Sequence, residues 1–151
     1  MDSLENKLGY KFKNEKLLET ALTHSSYASE HGKHYEFNNE RLEFLGDAFL
    51  DAIIGKKMFA VMPEAHEGVL SKTRADVVCE RSLAEVASQL ELGEYLKLGH
   101  GEENGGGRQK TSIVGDAVEA VIGAMIIDGG YAAAVKPIYS LTQLISMNFE
   151  V

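Results

Sequence analysis

Cysteine and proline are nearly missing from this chain of 151 residues, which holds one of the first and two of the second. The lone Cys79 excludes an internal disulfide, and with Val77 and Val78 beside it the residue reads as a small core side chain rather than a nucleophile. Neither proline stands central to a helical run, and Ala, Leu, Glu and Lys, all good helix formers, are abundant. The apolar–polar alternation of a strand is scarce. No apolar run reaches the ~18 residues needed to span a bilayer. The start, Met1-Asp2-Ser3-Leu4-Glu5-Asn6, lacks the basic stretch followed by an apolar one that marks a secretory signal. These absences predict an all-α chain forming a single domain over residues 1–151, with no membrane segment and the cytoplasm as the default compartment.

Positive charge is also in short supply, with 15 Lys and Arg against 23 Asp and Glu for a net charge of −8. What is abundant instead is acid in unusual places. The run Asn39-Glu40-Arg41-Leu42-Glu43-Phe44-Leu45-Gly46-Asp47 threads carboxylates through a segment that otherwise reads as buried helix. At about 100° per residue, Glu40, Glu43, Asp47 and Asp51 fall within an arc of roughly 80°. Leu42, Leu45, Phe49, Ala52 and Ile53 lie opposite with the spacing of a core-facing stripe. The acidic side itself continues into Leu50, Ile54 and Met58, which predicts that it too is covered by protein one turn further on. Like charges so spaced repel unless something positive sits among them, and a divalent cation is the obvious candidate. A solvated acidic face is the bland alternative.

A second acidic pair weakens that alternative. The run Ser112 to Ile127 is apolar almost all round, the mark of a central helix, and its only charges before Asp128 are Asp116 and Glu119. They lie three apart on one face, with Gly123 on the same side where a neighbouring helix could come close. Two ionised carboxylates buried without partners are very unfavourable, and no Lys or Arg lies in the run to pair with them. Two facing helices that each contribute carboxylates make a hard, oxygen-rich metal site the economical explanation.

These residues also carry a family likeness. Asn39 to Asp47 followed by Ala48-Phe49-Leu50 resembles the signature of the ribonuclease III family. Gly115-Asp116-Ala117-Val118-Glu119-Ala120, with Ile122-Gly123-Ala124 and Asp128-Gly129-Gly130, resembles that family's second acidic element. Leu22-Thr23-His24-Ser25-Ser26-Tyr27 and Glu67-Gly68-Val69-Leu70-Ser71-Lys72-Thr73-Arg74-Ala75 are further matches, so the likeness spans nearly the whole chain in order. It implies the helical endonuclease-domain fold, with metal binding by Glu43, Asp47, Asp116 and Glu119, of which Asp47 and Glu119 are catalytic. Glu40 and Glu67 would be additional acids of the cleft. The implied activity is magnesium-dependent, two-metal hydrolysis of double-stranded RNA in RNA processing, with manganese expected to substitute. The family acts as a homodimer that leaves 5′-phosphate and 3′-hydroxyl ends with short 3′ overhangs. Phe44 is the matching candidate for an aromatic knob at the dimer interface, an intrachain core Phe being the alternative. Bacterial-type members usually continue into a double-stranded-RNA-binding domain, whereas this sequence ends at Asn148-Phe149-Glu150-Val151.

The net negative charge sits awkwardly with nucleic-acid binding, although metal ions would neutralise part of it. The positive residues are grouped as Lys56 and Lys57, Lys72 and Arg74, and Arg108 and Lys110. The last two pairs lie near acidic elements and are the candidates for RNA phosphates. His24, His31, His34, His66 and His100 fit no His-Glu-x-x-His run, and no Gly-x-Ser-x-Gly elbow occurs, so they read as structural or surface residues. Gly107-Arg108-Gln109-Lys110-Thr111 lacks the glycine of a P-loop, and the Glu-x-x-His pairs of di-iron bundles are missing. Two other readings stay open on the sequence: an all-helical nucleoside triphosphate pyrophosphohydrolase, and a non-catalytic RNA-binding or structural descendant of the fold.

The expected elements are a short helix at Leu4 to Leu8, one from Glu15 to Thr23, and a polar connection from Glu30 to Phe37. The acidic helix follows from Asn38 to Val61, closed by Pro63, then helices at Glu67 to Val78 and Arg81 to Leu90. A loop over Gly99 to Arg108 is too glycine-rich to hold helix. The buried helix from Thr111 to Ile127 stops at Gly129-Gly130, and a last helix runs from Tyr131 toward Met147.

Overall fold

The computed structural model describes residues 1–32 and 37–143. His34, half of the expected polar connection and the last turn toward Met147 lie outside the described residues. Among the described residues the elements are helical throughout: α1 (Asp2–Leu8), α2 (Glu15–Ala21), α3 (Ser25–Glu30), α4 (Glu40–Val61), α5 (Glu67–Val78), α6 (Glu80–Leu90), α7 (His100–Asn104) and α8 (Thr111–Thr142). Short 3-10 turns at Leu92–Tyr95 and Gly107–Gln109 join the later ones. The fold is all-α, as the composition predicts.

The helices α4 and α8 form the centre, with α6 and α2 against α8 and α5 against α4. Ala117, Val118, Ala120, Val121, Ile122, Ala124 and Met125 of α8 are all buried, as an element apolar on every side must be. By length and composition α8 is apolar enough to cross a membrane, contrary to the sequence expectation, and its burial inside the protein accounts for that character. The helix is broken at Gly130, whose φ of 82° and ψ of 169° suit glycine alone. The expected stop at Gly129-Gly130 is therefore a sharp break between two helical segments. Asp128, just before it, accepts hydrogen bonds from the Tyr10 hydroxyl and the Lys13 and Asn14 amides, which ties the start of α2 to the break. Pro137 lies buried inside the second segment, against the expectation that neither proline stands central to a helical run.

Three local differences have physical causes. The acidic helix starts at Glu40 because the Asn38 side chain accepts from the Glu40 amide while the Asn39 side chain donates to the Ala21 carbonyl. A helix not expected from the sequence, α3, is capped by a side chain of uncommon type, His24. The glycine-rich segment holds the short helix α7 because Glu30 accepts from the His100 amide, while ion pairs of Glu102 with Lys110 and of Glu103 with Arg108 fasten its body. Gly99 and Gly105 bound the helix, and Gly101 is accommodated within it.

The inward side of α4 also differs. Its buried residues are Gly46, Leu50, Ile53, Ile54 and Met58, so the side that carries the acids faces α8. Of the stripe expected to face the core, only Ile53 is buried; Leu42, Leu45 and Phe49 are half-buried and Ala52 is exposed.

Candidate metal centre

Two glycines decide how close the central helices come. A Cβ on Gly46 would collide with the Glu119 carbonyl oxygen, and one on Gly123 with that of Leu42, so α4 and α8 touch backbone to backbone. Each glycine stands within a turn of the acids: Glu43 and Asp47 flank Gly46, and Glu119 is one turn before Gly123. Gly123 is legible from its place on the acidic face of α8; Gly46, its counterpart, is hidden among the residues of the signature.

The approach brings Glu43, Asp116 and Glu119 together so that one carboxylate oxygen from each lies within 4.8 Å of the others. Glu119 is 9 % exposed, and Glu43 and Asp116 are half-buried. Asp47 is exposed and shares a hydrogen bond with the Glu119 carboxyl. Burial, that hydrogen bond and the charges of Asp47, Glu43 and Asp116 push Glu119 up to about 9. Burial and the charges of Asp116, Glu40 and Asp47 push Glu43 up to about 7. Asp116 is raised by burial and by Glu80, and Asp51 by burial and by Asp47. Among the described residues no Lys or Arg forms an ion pair with any of the four acids. A converging, uncompensated set of oxygen donors fits a hard divalent cation such as magnesium, which would relieve each of these shifts.

The remaining expected residues are spread more widely. Glu40 is exposed on the first turn of α4, where its charge raises Glu43. Glu67 begins α5, accepts from the Ser71 hydroxyl at 2.6 Å, and is not among the three converging acids. Lys72 pairs with Asp76 at 3.2 Å along the helix, and Arg74 is exposed near Gly55 and Asp51. Arg108 departs from expectation. Its guanidinium donates to the carbonyls of Gly93 and Leu96 at 2.8 and 2.7 Å and pairs with Glu103, so it braces its own chain and has little left for a phosphate. Lys110 is paired with Glu102 at 2.6 Å. Phe44 is 79 % exposed, which excludes an intrachain core role. Sequence reasoning missed Glu80, whose charge acts on Asp116 from α6, and His24, which lies within reach of Asp116 from the start of α3. Neither carries a signal of spacing, since only the fold brings them near α8.

A family model described as Ribonuclease-III-like matches residues 14–144. The chain belongs to that family. Ribonuclease 3 of Oleidesulfovibrio alaskensis is 52 % identical over 137 residues, which cover 91 % of this chain and 59 % of the relative. Ribonuclease 3 of Caldanaerobacter subterraneus is 49 % identical over 138 residues, covering 91 % and 60 %. The chain thus spans about three fifths of the length of these ribonuclease III relatives. The nuclease domain of ribonuclease III from Campylobacter jejuni superposes with a TM-score of 0.89 at 42 % identity, covering 96 % of this chain and 97 % of that one, and is described as flexible in a region involved in dimer formation.

Proposed function

We propose that this chain is the catalytic domain of a cytoplasmic double-stranded-RNA endonuclease that hydrolyses phosphodiester bonds in RNA processing, leaving 5′-phosphate and 3′-hydroxyl ends with short 3′ overhangs. The observation that carries the reading is the convergence of Glu43, Asp116 and Glu119, with Asp47 bonded to Glu119, on a backbone-to-backbone helix contact. The four acids would hold magnesium or manganese, which when bound supplies an activated water and charge stabilisation at the leaving 3′ oxygen. The chain's own part is to bind and orient. Glu43 and Glu119, held in the acid form at neutral pH or close to it, give up their protons as the cation is taken up. Glu40 extends the negative rim, with Glu67 as a more distant acid of the cleft. Exposed Lys72 and Arg74 on α5 offer donors to backbone phosphates, a role that Lys110 shares less readily through its pairing with Glu102.

The reading includes a homodimer. Beside Phe44 is a cavity of about 740 Å³ lined by Leu17, Thr20, Leu42, Leu45 and Ile127 among others, and Ile127 is itself 57 % exposed. An exposed aromatic knob next to a hollow with apolar walls and a polar edge of Asn38, Glu40 and Arg41 is the kind of self-complementary patch a two-fold dimer requires. The function is tested by incubating the protein with a long RNA duplex, with and without magnesium, and mapping the product ends. Metal-dependent fragments with paired, staggered ends are expected. Cleavage that persists in chelator, or hydrolysis confined to free nucleotides, refutes the proposal.

A further inference from the structure

The cap of α3 is a histidine that leaves one ring nitrogen unused. Nδ1 of His24 accepts from the Ser26 amide at 3.1 Å and lies 2.7 Å from the Ser26 hydroxyl, whose oxygen in turn accepts from the Gly99 amide at 2.8 Å. An amide N–H cannot accept, so Nδ1 presents its lone pair and the proton of the neutral ring is on Nε2. The backbone around the ring is fixed on both sides. The His24 amide donates to the Lys97 carbonyl at 3.0 Å, and the Thr23 carbonyl accepts at 2.9 Å from the amide of Asn39, the residue that precedes the acidic helix. His24 therefore leaves the chain beside the first turn of α4, which carries Glu40 and Glu43. Asp116 and Glu102 both lie within electrostatic reach of the half-buried ring, which sets it at the α7 end of the acidic cluster. Among the described residues nothing accepts a hydrogen bond from Nε2. A donor held in one direction at the edge of the acidic cluster, with no acceptor among the described residues, is suited to an acceptor that arrives from outside.

We propose that His24 is an RNA-contact residue, its Nε2–H donating to a phosphate oxygen of the duplex bound over the acidic cluster. This rests on the double-stranded-RNA reading above, and it adds to the α3 side of the acidic cluster a phosphate donor next to exposed Lys97, whose carbonyl holds the His24 amide. Two substitutions separate the contact from the cap. In His24→Asn the amide oxygen takes the place of Nδ1 and keeps the cap of α3, but nothing occupies the place of Nε2. In His24→Gln the longer amide carries an N–H to the place of Nε2 while the cap is lost. Binding of a duplex RNA is measured with calcium in place of magnesium to suppress cutting, together with kcat/KM in magnesium and the thermal midpoint. His24→Asn is expected to hold its midpoint while duplex affinity and kcat/KM each fall about tenfold, the scale of one hydrogen bond to a charged group. His24→Gln is expected to melt lower yet bind close to wild type. The reverse order, with the asparagine variant equal to wild type and the glutamine variant impaired in step with its stability, makes His24 a cap and nothing more. A wild type that binds duplex RNA without cutting it overturns the endonuclease reading but leaves this contact to be judged on affinity. A wild type that does neither overturns both.

Discussion

Glu119 is a carboxyl that the fold holds in its acid form until something positive arrives. Its ordinary value of 4.5 rises to about 9 in the metal-free protein, and that of Glu43 to about 7. A carboxyl raised on folding binds more protons in the folded state than in the unfolded one, so stability falls as pH climbs between the two values. The metal-free thermal midpoint should therefore drop from about pH 5 to about pH 9, and added magnesium should flatten the drop. Glu119→Gln should abolish cleavage while holding or raising the metal-free midpoint at pH 8, since it removes a group the fold disfavours in its charged form. A large loss of metal-free stability in that variant would mean that protein partners, not a cation, compensate the cluster. The four acids are legible because each interrupts an apolar pattern. Arg108 is not, because the carbonyls of Gly93 and Leu96 that claim it leave no trace in side-chain sequence.

At the level of elements, the site is a property of the α4–α8 contact more than of either helix. Gly123→Ala or Gly46→Ala places a methyl against the facing carbonyl oxygen and must push the helices apart. Each should lower stability by about 1–3 kcal/mol or more, read by chemical denaturation, and weaken metal binding by calorimetry, although neither residue carries a ligand atom. Undiminished metal affinity in both would show that the acids do not depend on the close approach. The long helices are readable in sequence because their periodicity persists over many turns. The short helices α3 and α7 are not, since their stability comes from tertiary partners: Gly99 and the His24 ring for the first, Glu30 and Lys110 for the second. The inward face of α4 was legible only in part. Acids and Leu50 share a side, yet the pattern alone favours the opposite stripe as core, and the second glycine decides otherwise.

For the whole molecule, the exposed Phe44 and its neighbouring cavity predict that Phe44→Ala shifts the protein toward monomer and reduces double-strand cutting, since loss of an aromatic anchor at an interface can cost ~2 kcal/mol or more. Sedimentation at several concentrations reads this directly, and a wild type that is monomeric at micromolar concentration counts against the arrangement. With a net charge of −8, the domain should hold RNA weakly and lose activity steeply as salt rises. Appending a double-stranded-RNA-binding domain after Val151 should lower KM far more than it raises kcat, because the tether adds binding remote from the chemistry. Rates across RNA concentration at two salt levels test it; equal KM values would show that the catalytic surface already grips RNA well.

The glycine contact has one more consequence, in the currency of hydrogen exchange. Where two backbones touch, no side chain can rotate aside to admit solvent, and partial opening of the molecule must leave that seam for last. The hydrogen-bonded amides of residues 43–46 and 119–123 should then exchange only through global unfolding, at rates that converge with those of the most protected core positions. A cation held there would slow exchange across the entire chain rather than locally, so magnesium occupancy could be read from any slow amide, however far from the acids it lies.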